Sequence, residues 1–110
     1  MESLIVDLLQ GSYKELPLTY TGQNITGANI EFVIKRTPRG TPLFTANTTA
    51  GSVVVTNGSL GQFKIVFGTA QTSAMTIKEP AILKGQVEIT LVGGQTIRTH
   101  QMLINYSPEL

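Results

Sequence analysis

The side chains that most often carry catalysis are scarce in this chain. It has one histidine, His100, one aspartate, Asp7, six serines and no cysteine. A Ser-His-Asp triad would have to combine these two residues with a serine, and no serine stands in a Gly-x-Ser-x-Gly turn. A zinc site needs three or four His, Cys or carboxylate ligands, which one histidine with scattered glutamates does not supply. The sequence therefore predicts no catalytic residue, no metal site and no cofactor.

Two glutamates, Glu31 and Glu88, are the best candidates for a pair of acid and base carboxylates, as in a glycosidase. Each alternates with apolar residues, which places it on the solvated face of a predicted strand. A general acid of this kind needs a partly buried position instead. We therefore interpret both as surface charges, and the chain as a protein without enzymatic activity.

The densest cluster of charge is the segment 35–39, Lys-Arg-Thr-Pro-Arg. Surfaces that bind nucleic acid combine a broader basic patch with aromatic residues, and neither surrounds this segment. The net charge of +1 gives no electrostatic reason to expect nucleic acid or an anionic membrane. We predict neither of these partners and no small-molecule substrate. The segment is interpreted as an exposed loop.

The length of 110 residues suits one core, so a single domain over residues 1–110 is predicted. Charged residues make up 14% of the chain, against about 25% in typical soluble domains. The 41% of hydrophobic residues excludes a disordered tail. The apolar run 4–6 follows Glu2 and is interrupted by Asp7, which argues against a secretory signal. No apolar stretch approaches the roughly 18 residues that cross a bilayer.

The candidate residues discussed above must be positioned by strands. Apolar residues alternate at period two along the chain, and Gly, Pro and Asn interrupt this alternation at short intervals. The clearest runs are 30–34 and 63–67. Seven or eight short strands are predicted, with one helical turn near residues 69–77. This pattern is typical of an all-β, immunoglobulin-like antiparallel β-sandwich, although the cysteine pair and Trp of antibody domains are absent. A small Greek-key barrel is the alternative.

Three local features refine this prediction. Pro17 cannot donate to a strand ladder, which places its strand at an edge. Asn57-Gly58 favours a tight two-residue hairpin turn. In the last run the parity of the apolar residues changes, so a bulge is expected near Gln101.

Several segments carry a family resemblance: LPLTYTG at 16–22, ITGANIEFVIK at 25–35, GQFKIVF at 61–67, Gln71-Thr72 and GQVEITL at 85–91. In this order they resemble the N-terminal immunoglobulin-like domain of phage baseplate upper proteins and related phage tail proteins. The resemblance implies the same sandwich fold and a role in a phage particle. It carries no catalytic residues.

From the resemblance we expect a non-enzymatic structural module of a phage or prophage tail or baseplate. It would be made in the bacterial host cytoplasm and reside in the virion. Its partners would be other virion proteins and copies of itself. Two candidate docking surfaces are expected, the segment Leu4 to Leu9 and the loop from Arg36 to Pro42. Their candidate residues are Leu4, Val6, Leu8, Arg36 and Arg39.

The alternative function is a carbohydrate- or receptor-binding module on a fibre or adhesin. Stacking on a sugar calls for exposed aromatic rings. The chain has no Trp, and its four Phe residues mostly have core parity. The candidates for stacking are therefore Tyr13, Tyr20 and Tyr106.

Overall fold

The computed structural model describes residues 4–37, 39–75, 77 and 79–108, and of Leu4, Thr99 and His100 the backbone alone. This part of the chain holds eight strands, one short α-helix and one 3₁₀ turn. The strands are β1 (Leu4–Leu9), β2 (Lys14–Thr19), β3 (Asn29–Lys35), β4 (Pro42–Asn47), β5 (Val53–Asn57), β6 (Gln62–Phe67), β7 (Ala81–Thr90) and β8 (Thr96–Ser107). The helix α1 spans Thr69–Ser73 and the 3₁₀ turn spans Gly58–Leu60.

The strands form two sheets packed face to face. One sheet has five strands in the order β1-β8-β7-β3-β4, and the other has three in the order β2-β6-β5. This is the order of a variable-type immunoglobulin domain, in which the third, fourth and last two strands share a sheet opposite the second. The predicted all-β, immunoglobulin-like sandwich is confirmed. The pairing is antiparallel throughout except between β1 and β8, which run parallel.

Three phenylalanine rings join the two sheets at the centre of the core. Phe32 and Phe44 come from the five-stranded sheet, and Phe67 comes from the three-stranded sheet. The ring centres of Phe32 and Phe67 lie 5.8 Å apart at 89°, an edge-to-face contact, and those of Phe44 and Phe67 lie 5.1 Å apart. Such contacts add about 0.5–1.5 kcal/mol to the gain from burial. Phe32 lies on the strand that carries the core Trp in antibody domains.

The predicted bulge in the last strand is confirmed. Gln86 of β7 pairs with Gln101 of β8, but the next residue, Val87, pairs with Thr99, so His100 is the extra residue. One inserted residue reverses the side-chain alternation of the strand beyond it. As a result every second residue after the bulge faces the core: Met102, Ile104 and Tyr106.

The predicted two-residue hairpin at Asn57-Gly58 is wrong. The 3₁₀ turn lies between β5 and β6, and it is Gly61 that has a positive φ, of 72°. A tertiary contact accounts for the difference, since Gly58 packs on Thr26 and its carbonyl accepts a 2.8 Å hydrogen bond from the backbone N–H of Ile25. Contacts of this kind override local turn preference.

The helical turn closes one end of the sandwich. It was expected near residues 69–77, and α1 occupies the first five of them. The buried Thr72 hydroxyl donates to the carbonyl of Ser12 at 2.8 Å, which ties α1 to the turn between β1 and β2. The buried Tyr106 hydroxyl donates to the carbonyl of Ile77 at 3.2 Å, and burial raises the pKa of this phenol. Among the described residues, no helix has the length and apolar character to cross a membrane.

Candidate interaction surface

The outer face of the five-stranded sheet is built by the strand positions that alternate with the core. Ile30, Phe32 and Ile34 of β3 are fully buried, so the residues between and beside them point outward. The register of the sheet then places the outward residues of neighbouring strands side by side. This face holds both an apolar group and a charged group of side chains.

The apolar group lies where β1, β8 and β7 meet. Ile5 is 66% exposed, Leu9 52% and Ile82 68%, although all three lie within strands. Ile5 pairs directly with the half-buried Leu103 of β8, and Ile82 lies diagonal to Leu103 on β7. Leu9 lies four residues further along β1, beside Ser107. We call Ile5, Leu9, Ile82 and Leu103 the apolar patch. Exposed clusters of this kind mark contact surfaces more often than isolated apolar residues do.

The charged group lies on β3 and β7. Glu31 pairs directly with Glu88, and Lys35 pairs directly with Lys84. We call these four residues the charged stripe. The guanidinium of Arg98 on β8 lies 3.4 Å from the Glu88 carboxylate, and the other three members have no ion-pair partner among the described residues. Like charges directly opposite each other in a sheet are destabilising.

A shallow depression of about 660 Å³ lies along the charged stripe. Its lining includes all four residues of the stripe, together with Arg98 and Gln101 of the bulged strand β8. Bulges commonly change the shape of a sheet surface in this way. The outer face is therefore recessed where its charges lie.

Two of the five candidate docking residues are wrong. Val6 is 3% exposed and Leu8 2%, because these residues of β1 point into the core. The side chain of Leu4 lies outside the described residues. Apolar residues occupy both parities of LIVDLL, and Asp7 alone marks the parity of Ile5 and Leu9 as the exposed one. The exposed half is Ile5, Asp7 and Leu9.

The other two candidates, Arg36 and Arg39, are exposed in the loop between β3 and β4, as predicted. They do not form one surface with β1. In the sheet order β1-β8-β7-β3-β4, two strands separate β1 from β3, which is about 14 Å at the usual strand spacing. Whether this loop docks on a partner stays a prediction.

The sequence placed Glu31 and Glu88 correctly on outward positions but did not reveal that they face each other. Alternation fixes the side of a sheet on which a residue lies, but not the neighbouring strand. Among the described residues, no three His, Cys, Asp or Glu side chains cluster as metal ligands would. Asp7, one of the two residues weighed for a triad, accepts a 3.0 Å hydrogen bond from the Asn105 amide. The side chain of His100 lies outside the described residues.

A small polar cluster occupies the outer face of the three-stranded sheet. The Tyr13 hydroxyl donates to the Glu15 carboxylate at 2.6 Å, and the Lys64 ammonium lies 3.3 Å from the same carboxylate. The hydrogen bond from Tyr13, followed by that from Lys64, holds the pKa of Glu15 below its usual range. The same hydrogen bond raises the pKa of Tyr13.

These shifts predict an acid-sensitive contribution to stability. A folded-state pKa below the unfolded value of 4.5 stabilises the fold above pH 4.5, and this contribution disappears as the pH falls through the lowered pKa. In Glu15→Gln we expect a smaller loss of stability between neutral and acidic pH than in the wild type. Urea denaturation at both pH values measures this difference, and equal losses in the two proteins would contradict it. Lys14→Gln, next to the cluster, is the control.

Comparisons with known proteins give weak likenesses. No protein-family model and no curated protein matches the chain. A solved structure of murine CRIg is similar over 96% of this chain and 92% of that chain, with 11% identity and a TM-score of 0.41. Another, described as parallel homodimers of the extracellular domains of the voltage-gated sodium channel beta4 subunit that explain its role in cell-cell adhesion, is similar over 98% and 88%, with 8% identity and a TM-score of 0.39. Likenesses at this level bear on neither activity nor partners.

Proposed function

We propose that this chain is a non-enzymatic structural module of a phage-like tail or baseplate, and that it works by contact with neighbouring protein subunits. The observation that carries the proposal is the apolar patch, where Ile5, Leu9 and Ile82 are more than half exposed within strands of a well-packed sandwich. The resemblance of residues 16–35 and 61–91 to phage tail proteins supports the setting. Neither argument depends on a catalytic group.

The apolar patch has the features of a subunit contact. Covering an isoleucine or leucine side chain completely stabilises a complex by about 1.5–3 kcal/mol, and these residues begin half to two-thirds exposed. Three such residues therefore contribute a few kcal/mol, in the range of an interface hot spot. Asp7 and Asn105 lie between them and supply the polar contacts that fix orientation.

The test is incorporation into particles of the encoding phage. An antibody against the chain should label purified tails or whole particles. In Ile5→Thr/Ile82→Thr, which keeps β-branched residues in both strands, incorporation should fall by about tenfold or more, since 1.4 kcal/mol corresponds to a factor of ten. Val92→Thr is the matched control, because Val92 is 78% exposed in the turn between β7 and β8 and lies outside the patch.

Particles without the chain would contradict the proposed function, and so would a double variant that is incorporated like the wild type. The carbohydrate-binding alternative receives no support from the aromatic residues. Tyr106 is fully buried and Tyr20 is half-buried, which leaves Tyr13 as the one exposed tyrosine. We therefore do not propose it.

A further inference from the structure

The charged stripe opposes the stability of the isolated sheet. Glu31 faces Glu88 and Lys35 faces Lys84 across the same strand pair. Exchanging one acid with one base would turn two repulsive pairs into two attractive ones without changing composition. A sequence that keeps the unfavourable order departs from what folding alone favours, and such departures concentrate at functional surfaces.

The stripe is arranged as two poles. Glu31 and Lys35 are four residues apart on β3, as are Lys84 and Glu88 on β7, so the acidic and basic poles lie about 13 Å apart. Val33 and Gln86 pair with each other midway between them. The stripe thus carries a negative end, beside which Arg98 of β8 pairs with Glu88, and a positive end on the other side of an uncharged centre.

This pattern is complementary to itself. Consider a second copy laid face to face on the first, with the two-fold axis in the interface, across the strands and through Val33 and Gln86. The axis reverses the strand direction, so the basic pole of each copy covers the acidic pole of the other. An axis along the strands would place like charges over each other. Charge therefore selects one of the two face-to-face arrangements.

We propose that a second copy of this chain docks on the charged stripe in this reversed, two-fold arrangement. The inference rests on the proposed function in treating the outer face as a protein-binding surface, and it names one partner there. Half-buried Val33 and the amides of Gln86 and Gln101 lie at the centre, where they supply apolar contact and hydrogen bonds. The basic pole borders the apolar patch, because Leu103 pairs directly with Lys84 and Ile82 lies two residues from Lys84 on β7. Ile5 and Leu9 on β1 lie outside the stripe and stay available to other subunits.

The area available predicts a weak dimer. Four strands spaced about 4.8 Å apart and six residues long cover about 400 Å² in projection, or about 800 Å² for two copies. Stable interfaces usually bury about 1,200–2,000 Å² of accessible surface. The accessible area of these two faces is larger than their projected area, which places this contact near the lower end of that range. The association should therefore be reversible, dependent on concentration and weakened by salt, which screens charges beyond about 10 Å at 0.1 M.

Charge reversal tests the arrangement. Sedimentation equilibrium over a concentration series should show a monomer–dimer equilibrium for the wild-type chain at low salt. Glu31→Lys makes the stripe mostly basic, and Lys35→Glu/Lys84→Glu makes it acidic. Each should self-associate at least about tenfold more weakly, while an equimolar mixture of the two should form a heterodimer. The matched controls are Glu15→Lys and Lys64→Glu on the other sheet, which should dimerise like the wild type.

Loss of the dimer in Glu31→Lys should not reflect loss of the fold. This substitution removes the repulsion from Glu88, so its melting temperature should equal or exceed that of the wild type. A wild-type chain that stays monomeric at the highest concentration would overturn the proposal, as would variants that do not re-associate on mixing. Particle incorporation of Glu31→Lys and of Ile5→Thr/Ile82→Thr then separates the two proposals. If the chain dimerises in solution but is absent from particles, the proposed function alone is contradicted. If the chain is present in particles but stays monomeric in solution, the dimer alone is contradicted.

Discussion

Replacing Phe32 by alanine should lower the free energy of unfolding by about 3–5 kcal/mol, the range for large aromatic residues removed from a core. Phe32 is fully buried and contacts both Phe44 and Phe67, so its loss opens a cavity between the two sheets. A domain of this length typically has a stability of about 5–15 kcal/mol. The substitution therefore removes a large share of the total.

Collapse of the surroundings should not repair this cavity, because Phe32 also covers Gly85 of β7. A Cβ added at Gly85 would lie 2.9 Å from the Phe32 ring, which shows how closely the ring packs on the backbone there. Urea denaturation monitored by circular dichroism measures the effect. Tyr13→Ala is the control, since Tyr13 is 60% exposed and should change stability by less than about 1 kcal/mol. A cost below that value for Phe32→Ala would contradict the central role of this ring.

Gly61→Ala should be comparably damaging for a different reason. Gly61 has a φ of 72°, where a side chain costs about 1–2 kcal/mol. An added Cβ would also overlap the carbonyl oxygen of Tyr20 and lie 2.9 Å from that of Gln23. These are backbone atoms, which cannot rotate away. The Tyr20 N–H donates to the Gly61 carbonyl at 2.8 Å, so relief by backbone movement would break the contact between β2 and β6.

The total expected loss for Gly61→Ala is about 2–5 kcal/mol, the sum of the backbone cost and about 1–3 kcal/mol for overpacking. Gly22→Ala separates the two contributions. Gly22 has a similar φ of 83°, but an added Cβ would meet no atom within 4 Å, so its cost should be the backbone part alone. Thermal melts of both variants provide the comparison. Equal losses would show that the overlap with Tyr20 is relieved without cost.

The sandwich was predictable from the sequence because its central strands have one wet face and one dry face. β3 alternates Ile30, Phe32 and Ile34 with residues that are polar except for Val33, and β6 alternates Phe63, Ile65 and Phe67 with Gln62, Lys64 and Val66. Period-two alternation follows directly from strand geometry and needs no knowledge of the partner strand. The edge position of Pro17 and the bulge near Gln101 were predictable for similar local reasons.

The surface was less predictable because it depends on which strands pair. Within LIVDLL only Asp7, which shares its parity with Ile5 and Leu9, indicates that Val6 and Leu8 face the core. The run does not indicate its partner strand, since β8 lies almost a hundred residues away in the chain. The opposition of Glu31 and Glu88 depends on register in the same way. Both are tertiary facts that a local pattern does not contain.

The parallel pair β1–β8 also determines how the domain responds to pulling. Its register runs over six residue pairs, from Leu4 with Met102 to Leu9 with Ser107. The chain enters β1 at one end of the pair and leaves β8 at the other. Tension between these two points loads the backbone hydrogen bonds of the pair in shear and together, whereas tension across a hairpin breaks its bonds one at a time. Because forced unfolding is governed by the unfolding rate, we expect this edge pair to slow unfolding under tension between its two ends.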